Sequence, residues 1–270
     1  MYVALSRVRS INGMFLTGEF KSAAIKSDIR ALQEYERMRK ESPIDSIHND
    51  NVLSSDSLTF TLLNTRSLSR HAIDIAHDPQ LLNTDILCLT ETQLMPDQST
   101  NDIAETLHPF KFIHNKCNDK FQSLSFCYKS HVEISQYHHS IGLSLIEFKK
   151  VSFSQETIRL LLVYRKNNTC LTNFYETLTD ILQMGTVHIV LGDFNINAQD
   201  EAQATTLSNV CLNYRQLVNT PTHLAGATLD HVYIRNSFVE SFYVQEFVKC
   251  VYFSDHDAIQ FTLAPRTSIT

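Results

Sequence analysis

From residue 58 onward the chain alternates between two hydrophobic patterns. Short unbroken apolar runs such as "LTFTLL", "DILCLT", "RLLLVY" and "HIVLG" read as strands buried on both faces. Between some of them, apolar residues recur at helical spacing, as with Phe174, Leu178, Ile181 and Leu182. The patterns predict strands at 58–64, 85–91, 110–115, 122–128, 131–137, 142–149, 156–164, 186–193, 229–234, 238–247 and 258–263. They predict helices over 68–82, 172–184 and most of 201–217, with a short one inside the polar segment 92–109. So many strands with so few helices do not make one doubly wound sheet. They predict an α/β fold in which two sheets pack face to face with helices outside.

The first forty residues differ in character. A strand-like "YVAL" and a helical, charged "IKSDIRALQEYERMRK" precede the polar, Pro-broken stretch 41–57, which reads as a linker. Charge divides the same way: residues 1–40 carry eight Lys/Arg against four Asp/Glu, whereas the rest of the chain is acidic. Overall charge therefore does not advertise nucleic acid, and any such partner must be met by a local basic patch or through bound cations. Six scattered cysteines without a Cys-x-x-Cys pair exclude a zinc knuckle or a disulfide framework as the organising device. Cys88, in an apolar run, reads as a core residue. No apolar stretch is long enough to span a membrane, and the N-terminal residues do not read as a signal peptide, so an intracellular setting is expected.

What changes the picture is where the strands end. "TFTLLN" ends at Asn64, "DILCLTE" at Glu91, "RLLLVY" at Tyr164 and "HIVLGDFN" at Asp193 and Asn195; "LDHVYI" opens with Asp230, and "SDHD" sets Asp255 and His256 before the last strand. Taken singly, each is an ordinary turn former or helix cap. Together they place acid, amide, phenol and imidazole groups at six strand ends, where rigid sheets hold reactive groups. Asn, Glu and Asp around one cavity are hard-oxygen donors that suit Mg²⁺ or Mn²⁺ better than Zn²⁺. A His beside an Asp adds a positioned proton donor or phosphate contact.

The segments "LLNTRSL", "DILCLTETQL", "VYR", "VLGDFNIN", "LDHVYI" and "FSDHDAI" resemble, in order and spacing, the endonuclease/exonuclease/phosphatase superfamily, which includes deoxyribonuclease I, the apurinic/apyrimidinic endonucleases and the endonucleases of LINE-type retrotransposons. The resemblance covers residues 58–264, leaves 265–270 as a tail, and looks closest to transposon-encoded members. It implies a four-layer α/β/β/α sandwich, here with an N-terminal strand–helix appendage, and Mg²⁺- or Mn²⁺-dependent hydrolysis of a phosphoester in DNA. Carried over by motif, Glu91 is the main metal ligand, helped by Asn64 and Asp255. Asp193 activates water, Asn195 holds the phosphate, His256 contacts the scissile phosphate, Asp230 braces His256, and Tyr164 donates to a phosphate oxygen. Arg66 stands two residues after Asn64, where some members carry a second metal-binding acid; "RKNNT" replaces a proline pair after Tyr164.

"MYVALSRVRSINGMFLTG" resembles the last motif of Pif-type superfamily 1 DNA helicases, with Arg7 at the arginine that reaches the nucleotide phosphate. No G-x-x-x-x-G-K-[ST] loop exists in the chain, so this segment is expected to hydrolyse no ATP. A helicase tail followed by a nuclease resembles the order found in Helitron-class mobile elements and implies a helicase–nuclease polyprotein; the expected DNA substrate alone implies a nuclear location. Two further readings stand beside the nuclease: a phosphatase of the same superfamily, and an inactive remnant that only binds. Of the remaining histidines, His71, His77, His138 and His139 read as surface residues, while His223 in "PTHLAG" is expected to border the site. The basic clusters "FKKV" and "YRK" read as solvated faces.

Overall fold

The computed structural model describes residues 56–95, 99–115, 119–140, 142–150 and 153–266. The chain divides into a unit of residues 1–53 and a unit of residues 54–270. The proposed helicase remnant at 1–40, including Arg7, and nearly all of the 41–57 linker lie outside the described residues.

The described chain forms twelve strands in two six-stranded sheets. Sheet one has the order β11-β12-β1-β2-β4-β3, formed by β1 (Leu58–Asn64), β2 (Ile86–Thr90), β3 (Lys111–His114), β4 (Ser125–Tyr128), β11 (Phe242–Lys249) and β12 (Ala258–Pro265). Sheet two has the order β5-β6-β7-β8-β10-β9, formed by β5 (Glu133–Ser140), β6 (Leu143–Lys150), β7 (Ser154–Tyr164), β8 (Ile189–Asp193), β9 (Tyr214–Gln216) and β10 (Asp230–Arg235). Each sheet has one parallel pair at its centre, β1 with β2 and β7 with β8; the other pairs are antiparallel. Parallel neighbours need a crossover, and helices supply both. The helices α1 (Leu68–Ala76) and α2 (Pro79–Leu82) join β1 to β2, while α4 (Leu171–Gln183) joins β7 to β8. The others are α3 (Asn101–Thr106), α5 (Glu201–Val210) and α6 (Asn236–Val239). No described helix is long and apolar enough to cross a membrane.

The unbroken apolar runs are explained by layering. In β1, Leu58, Phe60 and Leu62 enter the core between the sheets, and Leu63 faces the opposite way into the cluster that holds Leu68, Ala72 and Ile75 of α1. In β7, Leu160 and Leu162 face the inter-sheet core, while Leu161 and Val163 pack with Phe174, Leu178 and Leu182 of α4. The central strands are thus buried on both faces and the period of two disappears from their sequence. Three apolar layers separate four structural ones, which is the α/β/β/α sandwich.

The structure amends the predicted elements in places. Residues 68–82 form two helices, because Asp78 caps a new one by accepting from the N–H groups of Gln80 and Leu81. The segment 201–217 is helical only to Val210; Tyr214–Gln216 then pairs with β10. The segment 238–247 starts within a short helix before β11. Neither basic cluster is a simply solvated face: Lys150 is buried, donating to the Ser57 carbonyl at 2.5 Å, and Arg165 is buried too.

Candidate active site

Both parallel pairs end on the same seam between the sheets. In sheet one, Asn64 is in register with Thr90, so Glu91 leaves the adjacent strand one residue later. In sheet two, Asp193 is in register with both Tyr164 and Asp230. Reactive groups at the carboxyl ends of parallel strands are where an α/β sheet presents them best. Three hydrogen bonds then pair a side chain of one sheet with a side chain of the other. Asn64 Nδ2 donates to Asp193 Oδ2 at 3.0 Å, Tyr164 Oη donates to Glu91 Oε1 at 2.9 Å, and His256 Nδ1 meets Asp230 Oδ2 at 2.8 Å. All eight residues singled out in the sequence belong to this seam.

The backbone is bent to reach it. Arg66, Glu91, Gln93 and Asn195 have φ of 50°, 46°, 56° and 50°, in the left-handed region. Side chains there cost roughly 1–2 kcal/mol each, and such residues gather where function over-determines the geometry. Gly192 is required just before Asp193: a Cβ there would lie 1.8 Å from the Val163 carbonyl oxygen of the neighbouring strand.

Sheet two's half is closed. Asp193 is fully buried and accepts from the Asn195 N–H at 2.9 Å. Burial first, then the nearby Asp230, pushes its carboxyl up to about 8, against the opposing pull of His256. Burial alone would lower the pKa of His256, but the hydrogen bond and charge of Asp230, together with Asp193 and Asp255, outweigh it and raise the imidazole to about 9. Its Nε2 faces Asp193 Oδ2 at 4.0 Å, so a protonated His256 presents an N–H to the seam. Thr222 donates to Asp230 Oδ2 at 2.8 Å, and the other oxygen, Asp230 Oδ1, is buried without a hydrogen-bond partner. Burial and Glu91 raise the Tyr164 phenol well above its ordinary value, so it remains a donor.

Sheet one's half is more open. Asp255 Oδ2 is paired with Arg66 Nη1 and lies 3.4 Å from His223 Nε2. His223 Nδ1 accepts from the Ala225 N–H at 3.0 Å, which leaves the ring proton on Nε2. His223, bridged to His256 through its backbone, therefore borders the site as a donor and not as a metal ligand. The second oxygen, Asp255 Oδ1, is buried and has no hydrogen-bond partner. That orphaned oxygen, the Glu91 carboxylate and Asn64 Oδ1 are hard-oxygen donors of the kind a divalent cation of the Mg²⁺ type takes, and are the groups that would hold one. Asn64 Oδ1 also accepts from the Arg66 N–H at 3.0 Å, leaving its second lone pair for a ligand.

Three residues outside the predicted set support the loops at the seam. His231 is fully buried and meets the Ile196 carbonyl at 2.8 Å. Burial lowers its pKa, so it stays neutral and serves as a strut. Arg165 donates to the Phe194 and Asn195 carbonyls. Thr222 ties Asp230 to the loop before it. Asn195 Nδ2 donates to the Arg165 carbonyl at 2.8 Å, which braces the loop, and its N–H orients Asp193.

A four-layer sandwich with carboxylate, amide, phenol and imidazole groups along its seam defines the class of α/β/β/α phosphohydrolase folds. The sequence profile of the Endonuclease/Exonuclease/phosphatase family matches residues 51–256, and the chain belongs to that family. Its members hydrolyse phosphodiester bonds, generally with a divalent metal. Among similar solved structures is the endonuclease domain of TRAS1, a telomere-specific non-LTR retrotransposon, at 13% identity and TM-score 0.61 over 77% of this chain and 99% of that one. The 3′ phosphatase NExo from Neisseria, bound to product DNA hairpin, matches at 15% identity and TM-score 0.60 over 77% and 99%. The AP endonuclease LMAP from Leishmania major matches at 14% identity and TM-score 0.60 over 78% and 89%. At these identities the likeness establishes the fold. No curated protein sequence matches the chain.

Proposed function

We propose that this protein is a Mg²⁺- or Mn²⁺-dependent DNA endonuclease that hydrolyses a backbone phosphodiester with water and leaves a 3′-hydroxyl. The observation that carries the reading is the set of three cross-sheet hydrogen bonds, which joins proton-handling groups to hard-oxygen ligands at one seam. Asp193, its carboxyl pushed up to about 8, is matched as a base to water attack near neutral pH. It takes the proton as the water oxygen bonds to phosphorus and the phosphorus–O3′ bond breaks. His256, held charged by Asp230, donates to a non-bridging oxygen whose charge grows in the transition state. Tyr164 donates at the same place once it turns from Glu91. The leaving O3′ takes a proton from solvent water to become the 3′-hydroxyl. Glu91, Asn64 and Asp255 would hold the cation, which would supply Lewis-acid polarisation of the phosphate.

DNA is favoured as substrate because similar folds include a retrotransposon endonuclease and an enzyme bound to a DNA hairpin. The mobile-element origin, the helicase remnant at 1–40 and the helicase–nuclease polyprotein are further proposals that rest on the wording of "YVALSRVRSINGMFLTG"; the nuclear setting is one that rests on the DNA substrate. The test is plasmid nicking. Supercoiled plasmid with Mg²⁺ should relax with the wild-type protein, and should stay supercoiled with EDTA or with Glu91→Ala. Phosphate release from small monoesters without nicking would replace the endonuclease with the phosphatase reading. Silence on both substrates would mean a binding-only remnant.

A further inference from the structure

Arg165 follows Tyr164 at the end of β7, and its side chain turns into the protein instead of toward solvent; the residue is 6% exposed. Among the described residues its guanidinium meets no carboxylate at hydrogen-bonding distance. Nε donates to the Phe194 carbonyl at 2.7 Å, and Nη2 to the Asn195 carbonyl at 2.6 Å. Nη1 is shared among the carbonyls of Thr169, Lys166 and Asn167 at 3.0, 3.3 and 3.4 Å. The main chain of the same residue closes the bracket: the Arg165 N–H donates to the Asp193 carbonyl at 3.0 Å, and Asn195 Nδ2 donates to the Arg165 carbonyl at 2.8 Å.

One planar cation therefore pins two loops together, 166–169 after β7 and 194–195 after β8. Only a guanidinium has a fixed fan of donors wide enough for this; an ammonium offers three donors from a single point. The pinned segment is also where help is needed. Asn195 holds a left-handed backbone, and its N–H is the group that orients Asp193 Oδ1. Among the described residues, Arg165 alone donates to both the Phe194 and Asn195 carbonyls, next to the His231 contact at Ile196.

We propose that Arg165 is a positioning residue for the reaction: by clamping the Phe194 and Asn195 carbonyls, it fixes Asn195 and, through it, the orientation of Asp193. The inference rests on the hydrolytic reading of the seam. Arg165 touches no reacting atom and is not expected to bind substrate.

The test compares Arg165→Lys and Arg165→Ala with wild type, each also in an Asn195→Ala background. Arg165→Lys should lower kcat on the order of 10²-fold, the scale of a misplaced reacting group, and leave KM nearly unchanged. Part of that loss should be shared with Asn195→Ala, which removes the side-chain donor to the Arg165 carbonyl but keeps the backbone N–H that orients Asp193. Guanidinium ion should return part of the lost rate to Arg165→Ala, and ammonium should not. Independently of any substrate, the Asn195 backbone amide should exchange its hydrogen faster in Arg165→Lys than in wild type. Full kcat in Arg165→Lys, a loss that adds in full to that of Asn195→Ala, or unchanged exchange at Asn195 would overturn the proposal. If Arg165→Ala does not fold, the lysine variant decides. If the wild-type protein cleaves nothing, the hydrolytic reading fails, while the exchange measurement still shows whether Arg165 holds Asn195.

Discussion

The two parallel strand pairs make the same shape but contribute unequally to the seam. β7 and β8 end in side chains shut away from water: Asp193 is fully buried, and its register partners Tyr164 and Asp230 are 7% and 1% exposed. β1 and β2 end in Asn64 and then in Arg66 and Glu91, with the Arg66 side chain 55% exposed and its partner Asp255 26%. The buried end shifts proton affinities, because a carboxylate without water is costly and an imidazole beside two carboxyls is cheap to charge. The open end offers an incoming cation and phosphate the partly exposed Glu91 and Asp255 carboxylates, beside a buried Asn64. On the proposed reading, one half of the site is built for protons and the other for a metal, and the three cross-sheet hydrogen bonds keep the halves in contact.

The sharpest way to break that division is Asp193→Asn. If the buried half does the proton chemistry, kcat should fall by about 10³-fold, while the amide keeps the Asn195 contact. Stability near pH 8 should hold or rise, since a buried carboxyl is replaced by a neutral group. Nicking kinetics beside urea unfolding read both effects. A variant that keeps a tenth of the wild-type rate would move the base elsewhere.

A smaller effect should appear in stability against pH in metal-free protein. His256 is raised to about 9, above its ordinary value, so the stabilisation it contributes is complete below about 6.5 and is lost as pH climbs through about 9. Asp193 is also raised, to about 8, so its native state keeps a proton that the unfolded chain has already released, and folding grows costlier from about 4 up to about 8. Both contributions run the same way: the native state binds more protons, and stability declines from pH 6 to pH 9, on the order of a few kcal/mol. Asp230→Asn removes the partner of His256 and the repulsion on Asp193 together. Urea unfolding of that variant should show a flatter profile across the same window. An unchanged slope would mean that other groups set it.

The same contrast explains how much was legible in advance. Doubly buried strands announce themselves as unbroken apolar runs, so the central strands and their polar tips could be read residue by residue. Elements defined by a partner could not. Tyr214–Gln216 is a strand only because β10 lies beside it, and three residues are too few to show a period. Arg165 looked like part of a solvated "YRK" cluster, since nothing local says that its donors meet carbonyls on another strand's loop. His231, between Asp230 and an apolar run, carries no local mark of its bracing role. The one available signal was its place in "LDHVYI", at an inward position of a doubly buried strand. The parts of the site that touch solvent and ligands stood out by their chemistry, whereas the parts that hold them did so only through contacts distant in sequence.

Arg66 offers the smallest effect and the finest test of the open half. Its ion pair with Asp255 is half in solvent, so its removal should change stability by no more than about 1 kcal/mol. Its charge is another matter. The guanidinium holds Asp255 Oδ2 while Asp255 Oδ1, on the same carboxylate, has no hydrogen-bond partner. A cation approaching that carboxylate meets Arg66 as a like charge and as a competitor for the same lone pairs. Arg66→Ala should therefore shift the Mg²⁺ titration of activity to lower concentrations. If Arg66 also contacts the substrate backbone, KM for DNA should rise at low salt, where phosphate contacts count most. A titration that moves the other way, toward higher Mg²⁺, would show that Arg66 positions Asp255 for the metal instead of competing with it, and the open half would prove as pre-built as the closed one.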